Sequence, residues 1–299
     1  MELPLVVGVD GSESSLRATD WAVDEAARRG VSLRLVYASL WERYEGAMPP
    51  YSPGRPCEQV LAENIIDTAV ERARLRDPHV KVSAAVLHQE AVTALLDEGR
   101  NALALVTGVR GRGELKSLLL GSVSLAVAAR AHCPVIVVRG DPVIVVRGDK
   151  AGVAGAHERI VLGVGAAGAG SAAVEFAFRE AEIRHCALDA VRAWRCPAHE
   201  TTDHPLLAGE PDRYHEEQAS LRLDEALHEA EQAHPGVRVR RLVVEGPPRH
   251  VLLERSAVAD LLIVGARRRT GHFGLQLSRA GHALLHHAAC PVAVVPQRA

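Results

Sequence analysis

Short, almost wholly apolar runs alternate along the chain with longer stretches in which apolar side chains recur every three or four positions. In the first half the runs occupy residues 5–9, 33–38, 80–87, 103–107 and 135–138. Runs of this length with no polar alternation predict strands covered on both faces, without a solvated side. Helical periodicity fills the gaps at 14–29, 59–74, 91–98 and 122–131, and Gly30 and Gly99 are placed as C-terminal stops. This alternation predicts an α/β fold, a doubly wound, five-stranded parallel sheet of Rossmann-like type with right-handed crossovers. Such sheets take ligands beyond the carboxyl ends of their strands, where strand order reverses.

The pattern occurs twice. Val6-Val7-Gly8-Val9 returns as Val161-Leu162-Gly163-Val164, and Ala131-His132-Cys133-Pro134-Val135 as Ala288-Ala289-Cys290-Pro291-Val292. Gly163 stands 155 positions after Gly8 and Cys290 stands 157 after Cys133, so a whole domain is duplicated with a small insertion. The domains expected are 1–141 and 158–299, joined by a linker over 142–157. That linker begins with an unchanged second copy of Pro134-Val-Ile-Val-Val-Arg-Gly-Asp141 at 142–149. Pro142 lacks the N–H of a central strand, so the surplus copy is expected at an edge or in the linker.

Composition narrows the function classes. The 299 residues carry 35 basic and 37 acidic side chains, a net charge of −2, so no general positive field draws the chain to nucleic acid or an anionic membrane. Apolar runs stop well short of the ~18 residues of a membrane span, and the N-terminus shows no export signal, which predicts a soluble, cytoplasmic protein. Five cysteines in no C-x-x-C pair indicate neither a disulfide framework nor a zinc ribbon.

The candidate chemistry follows the fourth strand, in the stretch from Gly108 and Gly111 to Gly121-Ser122-Val123-Ser124. Gly121-Ser122 opens a helix whose N–H groups and positive dipole end suit a phosphate chain, and Ser122 and Ser124 add hydroxyl donors. At the same edge the first strand ends in Asp10-Gly11-Ser12, where a carboxylate can accept hydrogen bonds from a nucleoside.

The spacing Gly108-x-x-Gly111-x9-Gly121-Ser122 resembles the nucleotide signature of the universal stress protein family, in its ATP-binding branch. The resemblance covers both halves and includes Val-Gly-Val-Asp-Gly-Ser at 7–12, Leu-Val-Tyr-Ala at 35–38 and His-Cys-Pro-Val at 132–135. It implies that Val9, Asp10 and Ala38 line an adenosine pocket and that Gly108 and Gly111 approach ribose and phosphates. It further implies that Gly121, Ser122, Val123 and Ser124 cradle the triphosphate of ATP with Mg2+. Arg110 and Arg112 in the same loop can add charge, or be solvated loop arginines. The first half departs from the family at Gln89 and Leu103, where Gly and Asp are favoured.

In the second half only Gly265 keeps its register: Arg268 replaces Gly111, Ser278 replaces Gly121, Arg279 replaces Ser122 and Gly165 replaces Asp10. Bulky side chains at the close-approach positions predict weak or absent ATP binding there. Two decoys are set aside. Val161-x-Gly163-x-Gly165-x-x-Gly168 resembles a dinucleotide fingerprint, but Asp189 falls at the start of the following strand rather than its end. His282, His286 and Cys290 share a helical spacing without a fourth zinc ligand.

The resemblance implies a regulatory role in stress or growth arrest, exerted through an unidentified protein partner. It implies that the two domains pack together, and it leaves a homodimer of the whole chain open. No carboxylate is evidently placed to activate water beside a γ-phosphate, so hydrolysis is expected to be slow at most. The rival readings are a slow ATPase or phosphotransferase, a nucleotide-independent interaction module, and a cyclic-AMP binder that shares the adenosine pocket.

Overall fold

In the computed structural model, residues 2–40, 57–109, 120–139, 157–165, 171–196, 211–268 and 275–297 are described. The chain divides into two compact units, the first built on Met1–Arg139 and the second on Gly140–Thr270 with Gln276–Ala299. The duplicated segment 142–149 lies outside the described residues.

In the first unit the apolar runs become strands β1 (Leu5–Gly8), β2 (Leu33–Ala38), β3 (Val82–Leu87), β4 (Ala104–Gly108) and β5 (Val135–Val138). All pair in parallel, in the order β3-β2-β1-β4-β5. Strand order reverses between β1 and β4, which marks the crevice for ligands. Among the described residues, four helices cover the sheet: α1 (Glu13–Arg29), α2 (Cys57–Arg76), α3 (Ala91–Glu98) and α4 (Ser122–Arg130). Leu5, Leu33, Leu35 and Leu105 are fully buried, as central parallel strands require.

α1 buries Ala18, Ala22 and Ala26 along one stripe and turns Asp20 and Asp24 outward. There Arg72 and Arg76 of α2 grip them bidentately at 2.6–2.7 Å. Gly30 ends α1 at φ 66°, with its own N–H and that of Val31 returning to the carbonyls of Ala27 and Ala26.

Gly99 is the C-cap that ends α3, at φ −64° rather than left-handed, and leads into a 3-10 turn; a Cβ there would lie 2.7 Å from Leu105 Cδ1. Glycine is needed for packing at this position. One expectation is corrected: β3 does have a solvated side, with Ser83 and Ala84 exposed, at one end of its domain's strand order.

The second unit repeats the plan with β6 (Arg159–Gly163), α5 (Ala172–Arg184), β7 (Ala187–Trp194), α6 (Pro211–Ala233), β8 (Val239–Glu245), α7 (Pro248–Ser256), β9 (Leu261–Arg268), α8 (Arg279–His287) and β10 (Val292–Gln297). Its parallel order is β8-β7-β6-β9-β10. One matched detail went unread in the sequence. Glu25 is fully buried against Arg28 and Arg29 at 2.6 Å, and 155 positions on Glu180 is fully buried against Arg184 at 3.2 Å.

Candidate functional site

The carboxyl edge of the first sheet begins where β1 ends. The buried Val9 stays in the sheet by donating its N–H to the Val36 carbonyl at 2.9 Å. The chain then turns tightly: Asp10 Oδ1 accepts from the Ser12 N–H at 2.9 Å, and Gly11 takes φ 79°. Ser12 caps α1, accepting from the Ser15 N–H at 3.2 Å, while Ser15 Oγ donates back to the Ser12 carbonyl at 2.9 Å. These bonds hold the half-buried Asp10 at the mouth of the crevice with Oδ2 unbonded among the described residues. Ala38, also half-buried, ends β2 opposite Leu87.

β4 ends at Gly108, whose missing side chain has a protein partner. A Cβ there would meet Ser14 Oγ at 2.5 Å and the Ser14 carbonyl oxygen at 2.6 Å, so glycine lets β4 lie against the first turn of α1. The Gly108 carbonyl accepts from Ser124 Oγ at 2.7 Å, and the Val109 carbonyl accepts from the Gly121 N–H at 2.7 Å. These two bonds clamp α4 to the end of β4. The buried Ser124 hydroxyl therefore donates within the protein, leaving the exposed Ser122 as the hydroxyl donor open to a ligand.

Gly121 is the N-cap of α4, extended at φ −62° and ψ 145°, and provides no side-chain cap. The N–H groups of Ser122, Val123 and Ser124 find no acceptor among the described residues, and the positive helix end lies open to an anion. Arg110 and Gly111 lie outside the described residues.

The second domain has the same frame with different chemistry. Val164 donates to the Val191 carbonyl at 2.9 Å, as Val9 does to Val36. Beyond it, Gly165 supplies no carboxylate, and its carbonyl accepts from Arg192 Nη1 at 2.6 Å. Burial lowers the Arg192 pKa, and the neighbouring Arg222 adds to the effect. Sequence reading missed Arg192, although the 155-residue offset aligns it with Tyr37. Gly265 keeps the register of Gly108, but the Gln297 side chain occupies its Cβ direction, with Nε2 2.5 Å from the position a Cβ would take. Ser278 replaces Gly121 and caps α8 itself, accepting from the Gly281 N–H at 2.9 Å. The hydroxyl sits at the helix end that α4 leaves open.

Among the described residues no cluster of three or more His, Cys, Asp or Glu side chains has metal-site geometry. His282 and His286 stack with ring centroids 4.5 Å apart, and Cys290 is buried and outside any disulfide. Burial pushes the Cys133 thiol up to about 11, which keeps it protonated and unreactive. Asp189, the acid of the dinucleotide-like pattern, is buried near the start of β7, 3.6 Å from Arg159 and 3.8 Å from Arg240. It is remote in register from the carboxyl edge. No described helix is long and apolar enough to cross a membrane.

Residues 3–139 and 157–296 match the model of the universal stress protein family. A universal stress protein of Mycobacterium tuberculosis strain H37Rv is 31% identical over 296 residues, spanning 98% of this chain and 96% of the relative. The crystal structure of a universal stress protein from Archaeoglobus fulgidus superposes with a TM-score of 0.61 at 16% identity, covering 98% of both chains, a likeness of fold. Over 46% of this chain and 96% of its own, a universal stress protein solved in complex with cAMP matches at 27% identity and a TM-score of 0.34.

Proposed function

Because this chain belongs to the universal stress protein family, with two copies of the family's domain in tandem, we propose that domain 1 binds ATP with Mg2+ and that domain 2 does not. The family sets a role in stress or growth regulation. Within that role the chain is a nucleotide-dependent regulator, acting through occupancy of its first domain on a protein partner in the cytoplasm. The proposed domain limits are 1–141 and 158–299.

One observation carries the reading: the matched helices α4 and α8 differ at their N-cap. Gly121 before α4 leaves its N–H groups open, whereas Ser278 before α8 fills the same place with its own hydroxyl. A triphosphate suits the first arrangement, since backbone N–H donors and the helix dipole favour an anion there. Asp10 at the end of β1 and Ala38 at the end of β2 suit the nucleoside, and Val9 forms the apolar floor. Mg2+ takes oxygen ligands. Of the described groups at this edge, the Asp10 carboxylate and the Ser122 hydroxyl are of that kind, with the triphosphate supplying the rest. Arg110 and Gly111 belong to the proposed site by register.

The test is calorimetric titration of the nucleotide-stripped protein with ATP and magnesium. One site per chain is expected. Gly121→Ser, which gives α4 the cap of α8, is expected to weaken binding at least about fivefold, corresponding to a loss of about 1–3 kcal/mol of polar contact. Two sites, no site, or an unchanged affinity in G121S overturns the proposal.

A further inference from the structure

The carboxyl edge of the second sheet has changed sign. At four positions matched by the repeat, domain 1 carries Asp10, Tyr37, Leu40 and Ser122, and domain 2 carries Gly165, Arg192, Arg195 and Arg279. The carboxylate is gone and three guanidiniums have appeared. Arg195 and Arg279 are exposed, and Arg267 in β9 adds another exposed cation. Arg192 is half-buried and held in place: Nη1 donates to the Gly165 carbonyl at 2.6 Å, leaving its remaining N–H donors without an acceptor among the described residues.

Burial disfavours the Arg192 cation, and the charge of Arg222 on α6 adds to the effect. The acid nearest in register is the exposed Glu245, opposite Trp194 at the end of β8, and no ion pair joins it to Arg192 among the described residues. A guanidinium that is part-desolvated, beside a second one and lacking a carboxylate, is stabilised by an incoming oxyanion. The anion relieves the repulsion and accepts charge-assisted bonds from the fork.

We propose that this edge of domain 2 is an anion site, centred on Arg192 with Arg222 beside it, for a compact oxyanion of the phosphate class, free or as a small monoester. A nucleotide is disfavoured because Gly165 supplies no acceptor for a ribose and Ser278 closes the end of α8. The site does not depend on ATP binding by domain 1.

Trp194 provides the readout, since it lies two residues beyond Arg192 on the same face of β7. The chain holds three tryptophans, Trp21, Trp41 and Trp194, so 5-fluorotryptophan labelling gives three 19F resonances, assigned by single Trp→Phe variants. Titration of the full chain with inorganic phosphate is expected to move the Trp194 resonance saturably, with chloride at matched ionic strength leaving it in place. Arg192→Gln is expected to weaken that response at least tenfold, and Arg222→Gln, a change on the exposed surface of α6, severalfold with the fold intact. Glycerol phosphate in place of phosphate identifies the source: the tighter of the two is the natural form of ligand. A Trp194 resonance that ignores both, moves equally with chloride, or responds unchanged in both variants overturns the proposal. Domain 1 is scored separately by ATP calorimetry, so failure of either assignment leaves the other standing.

Discussion

Replacing Gly108 by alanine places a methyl carbon 2.5 Å from Ser14 Oγ, 2.6 Å from the Ser14 carbonyl oxygen and 2.7 Å from its carbonyl carbon. Two of these atoms are backbone in the first turn of α1 and cannot swing aside, so β4 or α1 must move. Overpacking of this kind costs about 1–3 kcal/mol, which lowers the melting temperature of a domain this size by roughly 2–12 °C. Gly265→Ala is the control, because the nearest atom there is Nε2 at the far end of the flexible Gln297 side chain. A rotamer change of about 0.5–1.5 kcal/mol is offset by the ~0.4–1 kcal/mol gained when Ala replaces Gly in the unfolded chain. The expected result, by urea or thermal unfolding of the nucleotide-free protein, is a clear loss for G108A and a change within about 1 kcal/mol for G265A. Adding Ser14→Ala removes only Oγ and is expected to give little rescue. Equal stability of G108A and wild type, or full rescue by S14A, would refute the claim that this glycine serves the contact with α1.

Three further outcomes are expected. Ser124→Ala leaves the Gly108 carbonyl without its 2.7 Å donor and should cost about 1–3 kcal/mol in urea unfolding; a loss under a few tenths would show the clamp to be dispensable. Glu25→Gln and Glu180→Gln each break a buried pair with an arginine only 10% exposed, and each should lose about 3–5 kcal/mol by the same assay, whereas two neutral results would contradict the burial argument. Burial pushes the Glu90 carboxyl up, but hydrogen bonds from the Val92 and Thr93 N–H groups outweigh it and hold the pKa below the usual value. Its contribution is therefore present above the ordinary glutamate pKa of about 4.3 and is lost as pH falls through the depressed folded value, so the stability gap between wild type and Glu90→Ala should close in acid; a pH-independent gap would refute the assignment.

Much of the fold was legible because the physics that makes these strands is local. A parallel strand covered on both faces must be apolar throughout, so the runs at 5–9, 33–38 and 135–138 stand out before any partner is known. The left-handed turn at Gly30 is likewise a property of one residue and its own helix. The site was legible in outline for the same reason, since a glycine opening a helix and a carboxylate ending a strand are features of contiguous sequence. Duplication strengthened the reading of the fold by showing its strand and helix pattern twice, and the substitutions in the second copy pointed to its altered chemistry.

What escaped the reading depends on which segments meet. The exposed side of β3 goes with its place at one end of the strand order, which its own composition does not report. The partner of Gly108 is Ser14, the donor to its carbonyl is Ser124, and the atom over Gly265 belongs to Gln297. None of these pairs is adjacent in sequence. Arg192 makes the point at the site itself. Its alignment with Tyr37 was available, but its grip on the Gly165 carbonyl exists only because β6 and β7 lie side by side, with Gly163 opposite Val191. Hydrophobic periodicity specifies elements one at a time, whereas steric contact, hydrogen bonding and like-charge repulsion act between elements and take effect once the chain has brought them within a few ångströms.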